Sequence, residues 1–430
     1  MDTDRAHGRK SDPDKRHEIC KPPKRQFRTA LDSAPSADQS RNQISYFPRK
    51  VNPPASPKPR NPVNAFNATK RHRFRNSHCR NPAGLVPWRE TYSPYHIWIS
   101  EIMLQQTQME RGVEYFRRWI DRFPDVTSLA QAPQDEILKH WEGLGYYSRA
   151  RNLHKAAQVV MEHHGGTLPS SMEGLLALPG IGPYTARAIA SIAFKQDVCV
   201  VDANVERVVS RLYNIEQPVK SRQAQKEISE YGQRLLPSGH ARNFNQALME
   251  FGSLVCTPRS PSCPQCPLAQ WCRAREAGVQ EERPVVVKAP SPVYLTMATG
   301  ILIHEGRILT QKRLAEDVWG NLWEFPGGVV EDGETPHEAV IREYMEETGL
   351  VVNHPEPIAS FKHSFTRFRV TLHAFSVTLL SSPEELSLQA AQEHRWASWS
   401  EIMKLAFPAG HRKLVRHLEN DQKFLAKVQP

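Results

Sequence analysis

The sequence has no apolar run approaching the roughly 20 residues needed to cross a bilayer, which excludes a membrane-spanning helix. Its N-terminus carries Asp2, Asp4, Asp12, Asp14 and Glu18 and no apolar core, so neither a secretory signal nor a transit peptide is supported. The chain therefore reads as intracellular, and as cytoplasmic and nucleoid-associated if bacterial, with no membrane partner. Cysteine is scarce: 7 in 430 residues is an odd number without an even spread, which argues against a secreted disulfide framework. Charge of one sign is also missing from most of the chain. Of the net +10, residues 1–80 hold +12 while residues 281–430 hold −4. A basic arm on near-neutral domains predicts a polyanionic partner.

What is present suffices for two or three domains: 430 residues, 39% of them hydrophobic. Residues 1–84 are rich in Pro, Arg, Lys, Asn and Ser with isolated apolar residues, the composition of a disordered arm. The basic stretch 70–75 suits salt-sensitive contact with a DNA backbone.

The organising segment is Leu175 to Arg211. An apolar helix is expected to end at Leu178, a Pro-Gly-Ile-Gly turn follows, and a second helix opens at Pro183. Gly180 and Gly182 let the backbone turn tightly, and Pro183 suits a first helical position. The hairpin N–H groups and the positive end of the second helix can then hold an anion such as a DNA phosphate. Asp202 follows at the mouth of an apolar segment, where a helix cap would suit an aspartate equally well.

Upstream, Ser93 and Pro94 open a helix expected to continue through Trp98, Ile102, Met109, Val113 and Phe116. It carries Glu101 on a largely apolar face, where burial raises a carboxyl pKa toward that of a general acid. Two more helices are expected over 127–165, parted by Trp141-Glu-Gly-Leu-Gly-Tyr-Tyr147. That turn offers aromatic surface for stacking on a base or wedging into a duplex. Further on, Cys256, Cys263, Cys266 and Cys272 form C-x6-C-x2-C-x5-C among prolines. Four thiolates so placed suit zinc or an iron–sulfur cluster equally.

These motifs, in this order, resemble the MutY-type adenine DNA glycosylases of the helix-hairpin-helix superfamily. The likeness rests on Pro87-Trp88-Arg89, Ser100-Glu101-Ile-Met-Leu-Gln-Gln106-Thr107, Gly143-Leu-Gly-Tyr-Tyr-Ser-Arg-Ala-Arg-Asn-Leu153, Leu178-Pro-Gly-Ile-Gly182, Val201-Asp202, Asn204-Val205, Arg207-Val208 and the four cysteines. It implies a 4Fe-4S cluster at the cysteines and a catalytic role for Asp202. It also implies double-stranded DNA containing adenine opposite 8-oxoguanine or guanine as the partner, bound by a monomer. Bifunctional relatives carry a lysine nucleophile where this chain has Tyr184, which cannot form an imine, so a monofunctional enzyme is expected. Glu101 is then the acid that protonates adenine, Asp202 the ionised group that stabilises the sugar cation, and Tyr184 and Asn204 orient them. Trp88, Arg89, Gln106, Tyr146, Gly180 and Gly182 are the expected DNA contacts, with Gln106 and Tyr146 propping open the stack. The family also has an apolar helix ahead of Trp88-Arg89, and residues 65–85 show no such stripe.

Residues 277–292 have a linker composition, and Val293–Ile303 with Arg307–Lys312 read as a strand hairpin. Gly328, Glu334, Arg342, Glu343, Tyr344, Glu346, Glu347, Gly349 and Leu350 then fit the Nudix box without a gap. Glu343, Glu346 and Glu347 share one helical face and could hold Mg²⁺. In the resembled family this domain recognises 8-oxoguanine, with a Phe-Ser-His loop at the positions of Phe365, Thr366 and Arg367 here. The expected architecture is multidomain: arm 1–84, an all-α helix-hairpin-helix glycosylase domain with an iron-sulfur loop over 85–276, linker 277–292, and an α+β Nudix-like domain over 293–430. The intact box also admits a fused activity on oxidised nucleoside triphosphates, and a non-catalytic lesion-binding module is a further alternative.

Overall fold

The computed structural model describes residues 86–288 and 290–428, so the arm 1–84, its basic stretch 70–75 and the segment 65–85 lie outside the described residues. The first part is helical: α1 (Trp88–Thr91), α2 (Pro94–Met103), α3 (Met109–Arg122), α4 (Val126–Gln131), α5 (Gln134–Trp141), α6 (Ser148–His164), α7 (Met172–Leu176), α8 (Pro183–Ala188, continued by a π-helical turn Ile189–Ala193), α9 (Ala203–Tyr213), α10 (Arg222–Leu235), α11 (Ala241–Leu254) and α12 (Arg273–Glu276).

The structure corrects the sequence reading at several boundaries. The single helix expected from Ser93 through Phe116 is two, because the carbonyls of Ile102, Met103 and Gln105 accept from the Arg149 guanidinium and Gln106 turns into the left-handed region at φ 55°. The region 127–165 holds three helices rather than two, since Pro133 has no N–H to continue α4 and instead precedes the first turn of α5. The helix before the glycine hairpin ends at Leu176 rather than Leu178, and Ser171 caps its start by accepting from Gly174 N.

Two apolar cores build the helical part. Trp98, Trp119, Trp141, Phe123, Leu153 and Ile189 anchor the first, and Val205, Val209, Ile228, Phe244 and Phe251 the second. The chain passes from one to the other at Cys199 and Val200, which belong to different cores. Asp202 therefore sits where the two bodies meet.

The second part is α+β. A seven-stranded mixed sheet has the order β3-β2-β1-β6-β5, with β4 also on β1 and β7 also on β2. Its strands are β1 (Val293–His304), β2 (Arg307–Arg313), β3 (Trp323–Glu324), β4 (Gly327–Val329), β5 (Val352–Phe365), β6 (Phe368–Leu379) and β7 (Ala391–Ala397). The expected β1–β2 hairpin is formed only at its closed end, Ile303 to Ile308; β1 otherwise runs parallel to β6. Helix α13 (Pro336–Thr348) lies on the sheet, opened by a Thr335/Glu338 capping box and closed at Gly349, φ 70°. Helices α14 (Trp399–Ile402), α15 (Ala409–Leu418) and α16 (Gln422–Val428) end the described chain. Residues of the proline-rich connection run back along the helical part, where Val219 N donates to Val285 O at 2.8 Å and Arg211 Nε to Arg283 O at 3.0 Å. No helix among the described residues is long and apolar enough to cross a membrane.

Candidate active site and DNA-facing loops

Glu101 lies on α2 between Trp98 and Leu104, 6% exposed. Desolvation there pushes its carboxyl up to about 7, further raised by the negative field of Asp202 and partly offset by Tyr184 and Arg89. Tyr184, in the first turn of α8, donates from its hydroxyl to Glu101 Oε2 at 2.8 Å. Arg89 is itself ion-paired to Glu250 on α11.

Asp202 caps α9: its Oδ1 accepts from Val205 N at 2.7 Å and its Oδ2 from Asn204 Nδ2 at 2.8 Å. The helix-cap and site readings of this residue thus describe one geometry. Burial raises its pKa, while those two donors and Arg207 favour the ionised form. Asn204 Oδ1 accepts from Arg207 Nη2 at 2.8 Å, and Arg207 Nε donates to Cys256 O at 2.7 Å. Gly252 permits this closeness, because a Cβ there would stand 2.6 Å from Asn204 Cβ and 3.0 Å from its carbonyl oxygen.

The four cysteines line one small pocket, which Arg211 and Arg275 also line. Arg211 Nη1 approaches Cys256 Sγ at 3.3 Å and donates to Thr257 O at 2.7 Å. Four cysteines lining one pocket beside two arginines are a donor set that fits a thiolate-held iron–sulfur group, whose net charge those arginines would offset.

The loops expected to face DNA are brought together. Gln106 and Tyr146 both hold left-handed backbone, φ 55° and 48°, and both side chains are exposed. One residue fixes both loops: Arg149 Nη1 binds the carbonyls of Ile102, Met103 and Gln105, and its Nη2 those of Leu144 and Gly145. The hairpin glycines differ from each other. A Cβ on Gly180, φ 76°, would meet Asn152 Cβ at 2.6 Å, whereas one on Gly182 would meet open space. Trp88, unlike the other expected DNA contacts, is buried at 4% exposure and packs edge-on against Phe116. In the second part, Thr366 and Arg367 form the tip of the β5–β6 hairpin, Thr366 at φ 46°, with Phe365 stacked on Phe368 and edge-on to Trp319.

In the Nudix box, Arg342 pairs with Glu334 at 2.8 Å, Glu343 at 3.0 Å and Glu346 at 3.2 Å. Glu347 turns inward and accepts from Gln311 Nε2 at 2.8 Å and Gly327 N at 3.0 Å. Burial raises Glu343 to about 7 and Glu347 well above the carboxylate range. Sequence reasoning quoted Arg149 and Arg207 inside motifs without a role and passed over Gly252; only the folded contacts separate them from ordinary surface arginines and helix glycines.

A buried acid facing a capping carboxylate, beside a glycine hairpin and a cysteine loop, defines a base-excising glycosylase of the helix-hairpin-helix class. Residues 99–234 match the model described as HhH-GPD superfamily base excision DNA repair protein. Residues 256–272 match the iron-sulfur binding domain of endonuclease III, and residues 298–417 the NUDIX domain. An adenine DNA glycosylase of Rattus norvegicus is 30% identical over 80% of this chain and 76% of its own length. One of Buchnera aphidicola is 32% identical over 68% of this chain and 82% of its own. The chain belongs to the adenine DNA glycosylase family, and its partner is DNA. A solved thermostable thymine-DNA glycosylase is also similar, at 29% identity, TM-score 0.44, over 50% of this chain and 95% of that one.

Two outcomes follow from this geometry. Gly180→Ala is expected to lower stability by about 1 kcal/mol or more, read as a lower melting temperature, while Gly182→Ala leaves melting unchanged and weakens duplex binding. Tyr184→Phe removes a hydrogen bond that favours ionised Glu101, so the Glu101 carboxyl, followed by carbon-13 NMR, is expected to titrate at higher pH in the variant.

Proposed function

We propose that the protein is a monofunctional adenine DNA glycosylase acting, as a monomer, on adenine opposite 8-oxoguanine or guanine. The observation that carries this reading is the pair of unlike carboxyls: Glu101 buried with a pKa near 7 under the Tyr184 hydroxyl, and Asp202 held by Asn204 and Val205 N at a helix start.

A neutral adenine is a poor leaving group. Glu101, protonated near neutral pH, donates to the base and, once ionised, withdraws a proton from the attacking water. Asp202 in its ionised form, which its two donors favour against burial, opposes the positive charge that develops on the sugar. Tyr184 is the residue beside Glu101 where an amine nucleophile would otherwise stand, so the product is an intact strand with an abasic site. Gln106 and Tyr146 occupy the space of the extruded nucleotide. Cys256, Cys263, Cys266 and Cys272 would hold the 4Fe-4S cluster, which would brace their loop, and no step of base loss is assigned to it.

In this reading the second domain recognises the opposite base through Phe365, Thr366 and Arg367. Its Nudix box serves as scaffold, because Arg342 satisfies Glu334, Glu343 and Glu346 internally. No Mg²⁺-dependent release of pyrophosphate from nucleoside triphosphates is expected; release that disappears in Glu346→Gln would instead establish the fused activity.

The test is a duplex carrying one adenine opposite 8-oxoguanine. Strand scission is expected only after hot alkali, and only with unaltered protein. Asp202→Asn retains a good helix cap and loses the charge, so it is expected to be folded and to lose at least about 10²-fold in rate. Scission without alkali would contradict the monofunctional reading.

A further inference from the structure

The turn that presents Tyr146 is held from the other domain. Glu142, the residue before Gly143, is 11% exposed at its side chain and sits between two cations: Lys139 from its own helix at 3.4 Å and Arg412 of α15 at 2.7 Å. Its Oε1 also accepts from Phe407 N at 2.9 Å. Tyr147, at the other end of the turn, donates from its hydroxyl to Phe407 O at 3.2 Å and receives Gly143 N at 3.4 Å. Lys139 Nζ and Arg412 Nη2 both donate to Leu405 O, at 2.9 and 2.8 Å. The segment 405–407 is thus bonded on both sides to the two ends of one five-residue turn. Around it, Lys312 pairs with Asp135 at 2.7 Å, Arg151 Nη1 donates to Gly320 O at 2.8 Å, and Leu322 and Ala406 belong to the first helical core.

Mechanically this is a direct linkage. Ala406 O accepts from Trp323 N on β3, and Gly410, beside Arg412, would have its Cβ 2.9 Å from both His363 and Leu372, on the strands β5 and β6 that carry the Thr366–Arg367 tip. On the other side the turn continues through Arg149 to the loop of Gln106. A buried carboxylate compensated by cations from both domains resists separation, since parting them leaves an unpaired charge out of water.

We propose that Glu142 is a positioning residue: with Arg412 and Tyr147 it latches the second domain to the wedge turn, so that contact of the second domain with the opposite strand sets the posture of Tyr146 and Gln106. The inference rests on the proposed recognition of 8-oxoguanine by the second domain. It assigns Glu142 no contact with DNA.

The experiment uses the full-length, cluster-loaded protein with Glu142→Ala, Arg412→Ala and the double variant. Two readouts are taken: the ratio of single-turnover rates for adenine opposite 8-oxoguanine and opposite guanine, and amide hydrogen exchange over 143–147 and 405–408. The latch predicts that each variant lowers the ratio by roughly tenfold, within the 5- to 150-fold range of coupling between sites, while the rate opposite guanine stays within about twofold. It predicts faster exchange in both segments, with the double variant no worse than either single one. An unchanged ratio, or exchange that quickens at 405–408 alone, would overturn it. Should the alanine variants lose the cluster, Glu142→Gln, which keeps the Phe407 acceptor and loses the ion pairs, carries the same expectation. Unaltered protein showing no preference for 8-oxoguanine would instead contradict the lesion-reading proposal, and exchange at 143–147 would then decide the latch by itself.

Discussion

The structure depends on one carboxyl group kept out of water. Glu101 lies on a helix packed on both sides by core residues, and moving its pKa from 4.5 to about 7 corresponds to roughly 3 kcal/mol against ionisation. That net value already includes the opposing effect of the Tyr184 hydroxyl, which hydrogen-bonds the charged form. The result is a group poised between its two protonation states at neutral pH, which is the condition for giving a proton and taking one back in the same turnover. Asp202 shows the complementary arrangement: it is also largely buried, but two donors and a nearby arginine favour its charge.

The placement of the pair follows from how the helical part is built. Glu101 lies on α2, whose apolar residues belong to the first core, and Asp202 opens the first helix of the second. The spacing of the proposed pair is therefore a property of how the two cores pack, and the supporting contacts are spread accordingly. Arg149 ties the two wedge loops, Arg207 ties Asn204 to the cysteine loop, and Glu250 holds Arg89. In each case an arginine donates to acceptors on a second element, Arg149 to the carbonyls of 102–105, Arg207 to Cys256 O and Arg89 to Glu250, so each fixes the relative position of two elements.

Much of this was legible in the sequence because the decisive signals are local. The Gly180-Ile-Gly182 turn, the cysteine spacing and the Nudix box each sit within one short window, and the resemblance they carry is borne out by the family. Glu101 was readable as a carboxylate on an apolar helix face, which is a periodicity argument. What failed was long-range. The break at Leu104–Gln108 depends on Arg149, more than forty residues away, taking carbonyls that a continuing helix would need. The packing of Trp88 edge-on against Phe116 is likewise invisible in its motif. The pairing of β1 with β6 joins strands about seventy residues apart, and no local pattern encodes it.

Protonation of the departing base depends on the protonation state of Glu101. The direct measurement is carbon-13 NMR of the protein labelled at glutamate side-chain carboxyls, titrated with and without Glu101→Gln. A carboxyl resonance with a midpoint near 7 that vanishes in the variant is the expected result. A Glu101 resonance titrating in the ordinary range near 4.5 would show that the carboxyl is ionised at neutral pH and is not the acid that protonates the departing base.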